Sequence, residues 1–476
     1  MKCLQVLVCF GLVLGSGSFD QKLSSDQKVV HALNRLTFGA RPGDVAQVKS
    51  VGLNKWIDQQ LHPERIAENP DLTAKLQTLD TLQMTSREMV EKYPIRKAGS
   101  KQAGSPAVVA RQLMEGKIYR AVLSNRQLEE VLTDFWFNHF NVYLRKGADR
   151  YLVTSYERDA IRPHVLGKFQ DMLLATARHP AMLFYLDNWQ SMDPQALENL
   201  SKSRRGRGSP QVKQLAKRVR GLNENYGREL LELHTLGVDG GYTQQDVVEV
   251  ARCFTGWSIR NPRQGGDFQF LALLHDRNEK TVLGHKISAG GGEQDGRRVI
   301  EILSRHPSTA RFISTKLAQR FVTDQPPKAL VDRMAATFLK TDGDLREVMR
   351  TMLSSREFFS RGAYQAKMKS PLEMVVSSVR ALNADSENSL CFGVSHRGIR
   401  PAAVWQGGAH RLSEHGRGVG QLGWAVGAHE LCFPTNVWEA PRDTGGLGEP
   451  CRQRCRAGCP PAAATGGHRV HARGHW

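Results

Sequence analysis

The chain has 476 residues and is 40% hydrophobic, which is enough for one large or two ordinary domains with a sizeable core. Its formal net charge of +19 would suit an anionic partner, but the charge concentrates in 201–220 and in the C-terminal tail. Because no basic stripe is interleaved with aromatic residues, the charge pattern argues against a nucleic-acid-binding protein.

The first 18 residues have the pattern of an export signal. Lys2 supplies a positive start, the apolar stretch 4–14 is too short to span a bilayer, and small residues follow at 15–18. A buried first helix is the alternative interpretation. We expect a signal peptide at 1–18 and an exported mature protein, periplasmic or extracellular, without a transmembrane segment.

Helical periodicity dominates the chain from residue 25 to about 388. The first helix is expected to begin with a Ser24 cap and to end at Gly39. Further helices are predicted near 53–61, 72–89, 126–140, 165–177, 223–236, 243–257, 295–303, 309–322, 327–339, 345–354 and 371–382. Polar insertions at 94–106 and 192–221 resemble loops rather than linkers. The pattern therefore predicts a mainly α fold with a single large multi-helical domain at 19–388.

One region has the residue pattern of β-strands. The segments FQFLALL (268–274) and KTVLGHKI (280–287) flank the turn-like sequence DRNE. We expect one small β-hairpin near 268–287 that decorates the helices.

The sequence changes character near residue 389. From 391 onward it has no lysine but is rich in arginine, glycine and histidine, and it shows no period. A frameshift in a GC-rich gene would produce this composition; a disordered tail or a small metal-binding module is the alternative. Three cysteines spaced by four (Cys451, Cys455, Cys459) match no common zinc knuckle. We interpret 389–476 as an anomalous tail, which would leave the helical domain truncated at its C-terminus.

The densest run of polar residues lies at 221–257. At helical spacing, Glu229 borders an apolar face and Glu232 lies one turn further on, beside it. Such a carboxylate pair is able to share a divalent cation or to flank a reacting group. The alternative is a buried ion-pair network, because Arg228 and Arg252 are near in sequence.

Two further residues are candidates for a catalytic site. His139 continues an apolar helical stripe, so it is either a core histidine or the lip of an aromatic-walled pocket with Asn138. Asp187 follows an apolar run, as a cap residue or an oxygen ligand. No G-x-S-x-G, H-E-x-x-H, Walker A or strand-linked G-x-G-x-x-G sequence occurs, which disfavours the usual hydrolase and nucleotide-binding classes.

Several blocks together resemble a known family. HALNRLTFGARPGD (31–44), FWFNHFNV (135–142), the block 162–188, GLNENYGRELLELHTLGVDGGYTQQDVVEVARCFTGW (221–257) and FISTKLAQRFV (312–322) are similar to the bacterial domain of unknown function 1800. The resemblance implies a helical, often exported protein whose hallmark motifs contain the positions of Glu229, Glu232, Asn138 and His139. The position of His234 is phenylalanine in some members. The family's genes often neighbour those of domain of unknown function 1501, which implies a partner protein.

Two functions fit these observations. The first is a non-catalytic envelope protein that binds a partner, in which the polar residues form ion pairs and caps. The second is a metal-assisted, hydrolase-like enzyme in which Glu229, Glu232, His139 and Asp187 converge in one pocket, with a divalent metal as cofactor.

Overall fold

The computed structural model describes residues 19–95, 105–196, 198 and 221–384, and these residues are mainly helical. The α-helices are α1 (Ser25–Leu36), α2 (Asp44–Val51), α3 (Leu53–Gln60), α4 (Pro70–Gln77), α5 (Ser86–Lys92), α6 (Ala107–Leu123), α7 (Gln127–His139), α8 (Asp149–Ser155), α9 (Phe169–Arg178), α10 (Pro180–Tyr185), α11 (Glu224–Glu229), α12 (Gln244–Cys253), α13 (Glu293–Ser304), α14 (Pro307–Phe321), α15 (Lys328–Lys340), α16 (Leu345–Leu353) and α17 (Pro371–Ala381). The mainly α prediction is thus confirmed.

Two helices change their hydrogen-bonding period along their length. α8 continues into a first π-helix, Tyr156–Ile161, and α11 continues into a second π-helix, Leu230–Thr235. Single 3₁₀ turns lie at Pro63–Arg65, Asp80–Leu82, Arg162–His164, Asn188–Gln190 and Pro262–Gln264. Because π-turns are rare and are frequent at functional sites, these two segments are the first places to look for function.

The described strands form two small antiparallel sheets. β1 (Trp257–Ile259) pairs with β2 (Phe268–Phe270), and β3 (Lys280–Val282) pairs with β4 (His285–Ile287). A small hairpin within 268–287 is therefore present as β3–β4. The expected pairing between its two predicted segments differs, since β2 pairs with the chain before it.

Local sequence explains where several helices begin. Ser24, Thr85, Thr243 and Ser370 each form a reciprocal capping box with the side chain three residues later. The predicted helix at 72–89 is broken between α4 and α5. A 3₁₀ turn fills that gap, and α5 then restarts at the Thr85 cap.

Aromatic and aliphatic side chains from most helices meet in one large core. Trp136, Tyr156, Phe169, Phe254 and Trp257 are among its fully buried members. The approach of α11 to α12 requires a glycine: a Cβ at residue 227 would lie 2.9 Å from the Val247 carbonyl oxygen. The core thereby fixes the helix that carries Glu229.

Four of the predicted features lie wholly or mostly outside the described residues: the export signal at 1–18, the polar insertions at 94–106 and 192–221, and the anomalous tail at 389–476. In the described part of the chain, no helix is both long enough and apolar enough to cross a membrane.

Candidate functional site

The site candidates Glu229 and Glu232 are held by α11 and the second π-helix. The helix begins where the Asn223 side chain accepts from the Asn225 backbone N–H and donates to the Leu186 carbonyl, at 2.9 and 2.8 Å. That second bond ties α11 to the end of α10. The π-turn is closed by Leu236, whose N–H donates to the Leu231 carbonyl five residues earlier at 2.8 Å.

Glu229 is half-buried and makes no ion pair with any described residue. The arginines expected near it are engaged elsewhere. Arg228 binds Gln244 and Glu224, at 2.8 and 3.6 Å, and Arg252 binds Glu249. Burial, and then the neighbouring Glu232 carboxylate, raise the pKa of Glu229, while Arg228 lowers it. The carboxylate is therefore destabilised rather than held in the predicted ion-pair network.

Glu232 lies on the π-turn itself and is half-buried. The Tyr242 hydroxyl donates to its Oε2 at 3.3 Å. The hydroxyl belongs to the loop that leads into α12, so it links this loop to the π-turn. Like Glu229, Glu232 makes no ion pair with any residue that the structure describes.

His139 lies at the end of α7 within an aromatic cluster of Trp136, Phe140, Phe312 and His234. Its Nε2 lies 3.1 Å from the His234 carbonyl oxygen, which only accepts, so Nε2 carries the proton. Burial lowers the pKa of His139 to about 4 and that of His234 to about 3. His139 therefore has the surroundings of a core histidine, and it contacts the backbone of the π-turn that carries Glu232.

Asp187 occupies an exposed turn after α10, at a positive φ of 59°. The Lys146 ammonium lies 2.9 Å from Asp187 Oδ2 and also donates to the Tyr185 carbonyl. Asp187 is thus one half of a partly exposed ion pair rather than the cap of a helix through its side chain.

Asp149, which sequence reasoning missed, lies beside this ion pair. The residue is fully buried at the start of α8, and neither carboxyl oxygen has a hydrogen-bond partner among the residues that the structure describes. Burial raises its pKa to about 9; Lys146 opposes that shift and Asp187 adds to it. Asp149 is therefore a neutral acid inside the protein at neutral pH. A single acidic residue in an ordinary helix start gave no sequence signal of this burial.

The candidates form neighbouring pairs, not one centre. Burial and then the charges of Glu229 and Asp149 raise the pKa of Tyr185, which places this tyrosine within electrostatic reach of both carboxyl groups. Yet among the described residues no three His, Cys, Asp or Glu side chains are arranged to hold a metal ion. The electrostatic influence on Tyr185 thus relates Glu229 to the buried Asp149, whereas His139 contacts the backbone of the second π-helix.

Charged residues deeper in the fold are paired with each other. Arg162 binds both oxygens of Glu130, at 2.7 and 3.0 Å, and reaches Glu157 at 3.3 Å; Lys117 lies 3.0 Å from Glu157. Burial opposes ionisation of Glu157, but Lys117 and Arg162 lower its pKa below the ordinary value. Ion pairing of the kind expected at Glu229 therefore occurs around the first π-helix instead.

A second buried network joins α12, β3 and α13. Lys280 is fully buried and donates to Asp295 Oδ2 at 2.8 Å and to two backbone carbonyls. His275 lies 3.1 Å from the same carboxylate oxygen. Nearby, the predicted neighbours Glu249 and Arg252 do form an ion pair, at 2.8 Å. These contacts hold the β3–β4 hairpin to the helices.

Comparison with known proteins gives a family but no activity. No curated protein and no solved structure matches the chain. A family model described as a protein of unknown function (DUF1800) matches residues 31–421, most of the chain. The match begins within α1, contains the candidate residues, and extends beyond the predicted boundary at 388. The chain therefore belongs to the DUF1800 family.

Proposed function

We propose that this chain is an exported, non-catalytic protein that acts by binding a partner protein through the second π-helix. We define the π-turn surface as Glu229, Glu232, Leu233, Val238 and Tyr242. Its aliphatic members are exposed: Leu233 is 49% and Val238 69% exposed. Exposed aliphatic side chains beside carboxylates that no described cation pairs would suit the apolar contact and polar rim of a protein-interaction site. This combination is the observation that carries the proposal.

The chemistry of the surface indicates the kind of partner. Two carboxylates that no described cation pairs favour a partner that presents lysine or arginine, and the two aliphatic side chains favour an apolar contact beside it. The family resemblance supplies the specific candidate, a protein of domain of unknown function 1501. Export would place both proteins in the same compartment.

Co-purification of the two proteins from the periplasmic fraction tests this proposal. We expect the tagged chain to retain the partner, and Leu233→Ser with Val238→Ser to lose it. Leu339→Ser is the matched control, because Leu339 is 44% exposed on α15, outside the π-turn surface. Equal retention by the double variant and the control would contradict this binding mode, as would the absence of any retained partner.

The raised pKa of Glu229 favours a second function, acid–base chemistry at the Glu229/Glu232 pair. Magnesium is commonly held by only one or two carboxylates together with waters, so this pair would be a sufficient protein contribution. Asp187 and His139 would then shape the surroundings. Glu229 is the residue we expect to carry the reacting proton.

Elemental mass spectrometry on purified protein, followed by a hydrolase screen, tests the second function. Under that hypothesis Glu229→Gln abolishes metal binding or activity, whereas Glu224→Gln, at an ion-paired carboxylate near the start of the same helix, leaves both unchanged. Metal content and activity that survive Glu229→Gln would exclude it.

A further inference from the structure

A surface cleft of about 230 Å³ lies between α13, β4 and the start of α14, away from the π-turn surface. Arg298, Glu301 and Ile302 lie on one face of α13, and Arg305, which caps its C-terminal end, follows at the same helical spacing. His285 of β4 and His306, with the adjoining Pro307, complete the lining. Four of these seven side chains are arginines or histidines.

Glu301 already behaves as an anion between two guanidinium groups. Arg298 Nη1 lies 2.5 Å from Glu301 Oε2, and Arg305 Nη1 lies 2.8 Å from Glu301 Oε1. Arg305 also binds Asp342, which does not line the cleft, at 2.8 Å. Each guanidinium has five N–H donors, so one carboxylate leaves donors on Arg298 uncommitted. With neutral histidines, the two arginines and Glu301 leave the lining one positive charge.

The histidines supply further hydrogen-bond donors for an anion in the cleft. His306 caps α14, and its Nδ1 accepts the Ser308 N–H at 3.1 Å, so its ring proton lies on Nε2 as a donor. Burial and then the neighbouring His285 lower the pKa of His306. His306 therefore stays neutral at the cap and offers its Nε2–H as a donor to an anion in the cleft.

We infer that this cleft binds a small oxyanion of the phosphate class, either free phosphate or a phosphomonoester. The volume is below the range of about 300–1,000 Å³ typical of drug-sized ligands, which favours a ligand of few atoms. Arginine recognises tetrahedral oxyanions through parallel N–H donors. The ligand displaces Glu301 from Arg298 and takes the histidines as additional donors. This inference is independent of the partner-binding proposal.

Isothermal titration with inorganic phosphate tests the inference on the full chain. We expect saturable binding at one site, and Arg298→Gln weakens it about tenfold or more, because a charge-assisted hydrogen bond is lost. Glu301→Gln tightens it, because the internal competitor is removed. Arg311→Gln is the matched control: Arg311 is a similarly exposed arginine that binds Asp332 outside the cleft.

A second readout separates the site from general charge attraction. The ring signals of His285 and His306 in an NMR titration should shift when phosphate is added. Repeating the titration with glycerol 3-phosphate distinguishes the two sources, since the tighter of the two ligands identifies the natural class. Non-saturable binding, unmoved ring signals, or equal weakening by Arg298→Gln and Arg311→Gln would overturn the inference.

Discussion

Lys146 donates to Asp187 at 2.9 Å, and this pairing leaves Asp149 without a cation in contact although it is only three residues further along the chain. The arrangement directs the one nearby positive charge to the exposed carboxylate and leaves the buried one protonated. A buried acid without hydrogen-bond partners is costly, so its effect on stability should be measurable.

We predict that Asp149→Asn stabilises the protein at neutral pH. The pKa of Asp149 is about 9 in the folded chain and near 3.8 when unfolded, so between these values the folded state binds the extra proton. Stability is therefore lost as pH rises through this window, and asparagine removes that loss. We expect a gain of more than about 1 kcal/mol near pH 8 that shrinks towards pH 4.

Urea denaturation followed by circular dichroism at several pH values measures this gain. Asp239→Asn, at an exposed carboxylate, controls for removal of a surface charge. A stability difference between Asp149→Asn and the parent chain that stays constant with pH would contradict a protonated Asp149.

Buried histidines should make the fold sensitive to acid. Burial lowers the pKa of His31 and His139 to about 4 and of His179 and His234 to about 3, below the ordinary 6.5. Their contribution is fully present above about pH 6.5 and is lost as pH falls towards these values, because the unfolded chain binds the protons first. His234→Phe should flatten this loss by up to about 2 kcal/mol near pH 5.

The same urea titrations, at pH 7 and pH 5, test the histidine prediction. Phenylalanine suits the aromatic surroundings of Phe140 and His139, and the family resemblance implies that this position accepts it. If the acid sensitivity of His234→Phe equals that of the parent chain, His234 does not contribute to it.

Arg162 should be essential to the fold in a way that surface arginines are not. It binds Glu130 through two hydrogen bonds and also reaches Glu157, and both carboxylates are buried. Arg162→Met leaves them facing each other with Lys117 as the remaining contact cation, so we expect a loss of about 3–5 kcal/mol. Arg311→Met, which breaks an exposed pair with Asp332, should cost below about 1 kcal/mol in the same denaturation experiment. Similar losses in the two variants would show that the buried network is not stabilising.

Local sequence signals predicted most of the helices but not where their periods change. The Thr243 capping box and the Glu249–Arg252 pair depend on residues three apart, which any helix brings together. The second π-helix is different: a continuous α-helix was expected across 223–236. The extra residue of a π-turn shifts the face of every later side chain. Packing around that turn, which is a tertiary property, decides whether it forms.

Contacts between residues distant in sequence explain the other differences between the predicted and the observed structure. Burial of Asp149, and the contacts of Arg162 with Glu130 and of Lys117 with Glu157, depend on residues far apart in the chain, so no spacing rule identified the neutral acid or the ion network. The pairing of β2 with β1 likewise depends on the chain before Phe268, where a helix was predicted to continue to Trp257. By contrast, the environment of His139 follows from its place on an apolar stripe, and the core interpretation fits the aromatic contacts observed.

Glu229 offers a test that separates function from stability. Burial and Glu232 raise its pKa above the ordinary 4.5, so the folded state binds the proton more tightly, and stability is lost as pH rises past about that value. We expect Glu229→Gln to leave the melting temperature at pH 7 unchanged or higher. Glu130→Gln should lower it strongly, because Arg162 then loses one charged partner. Differential scanning fluorimetry compares the two. A stable Glu229→Gln protein that fails to retain its partner or its metal would place the function at this carboxylate, since a structural ion pair would instead have destabilised the fold.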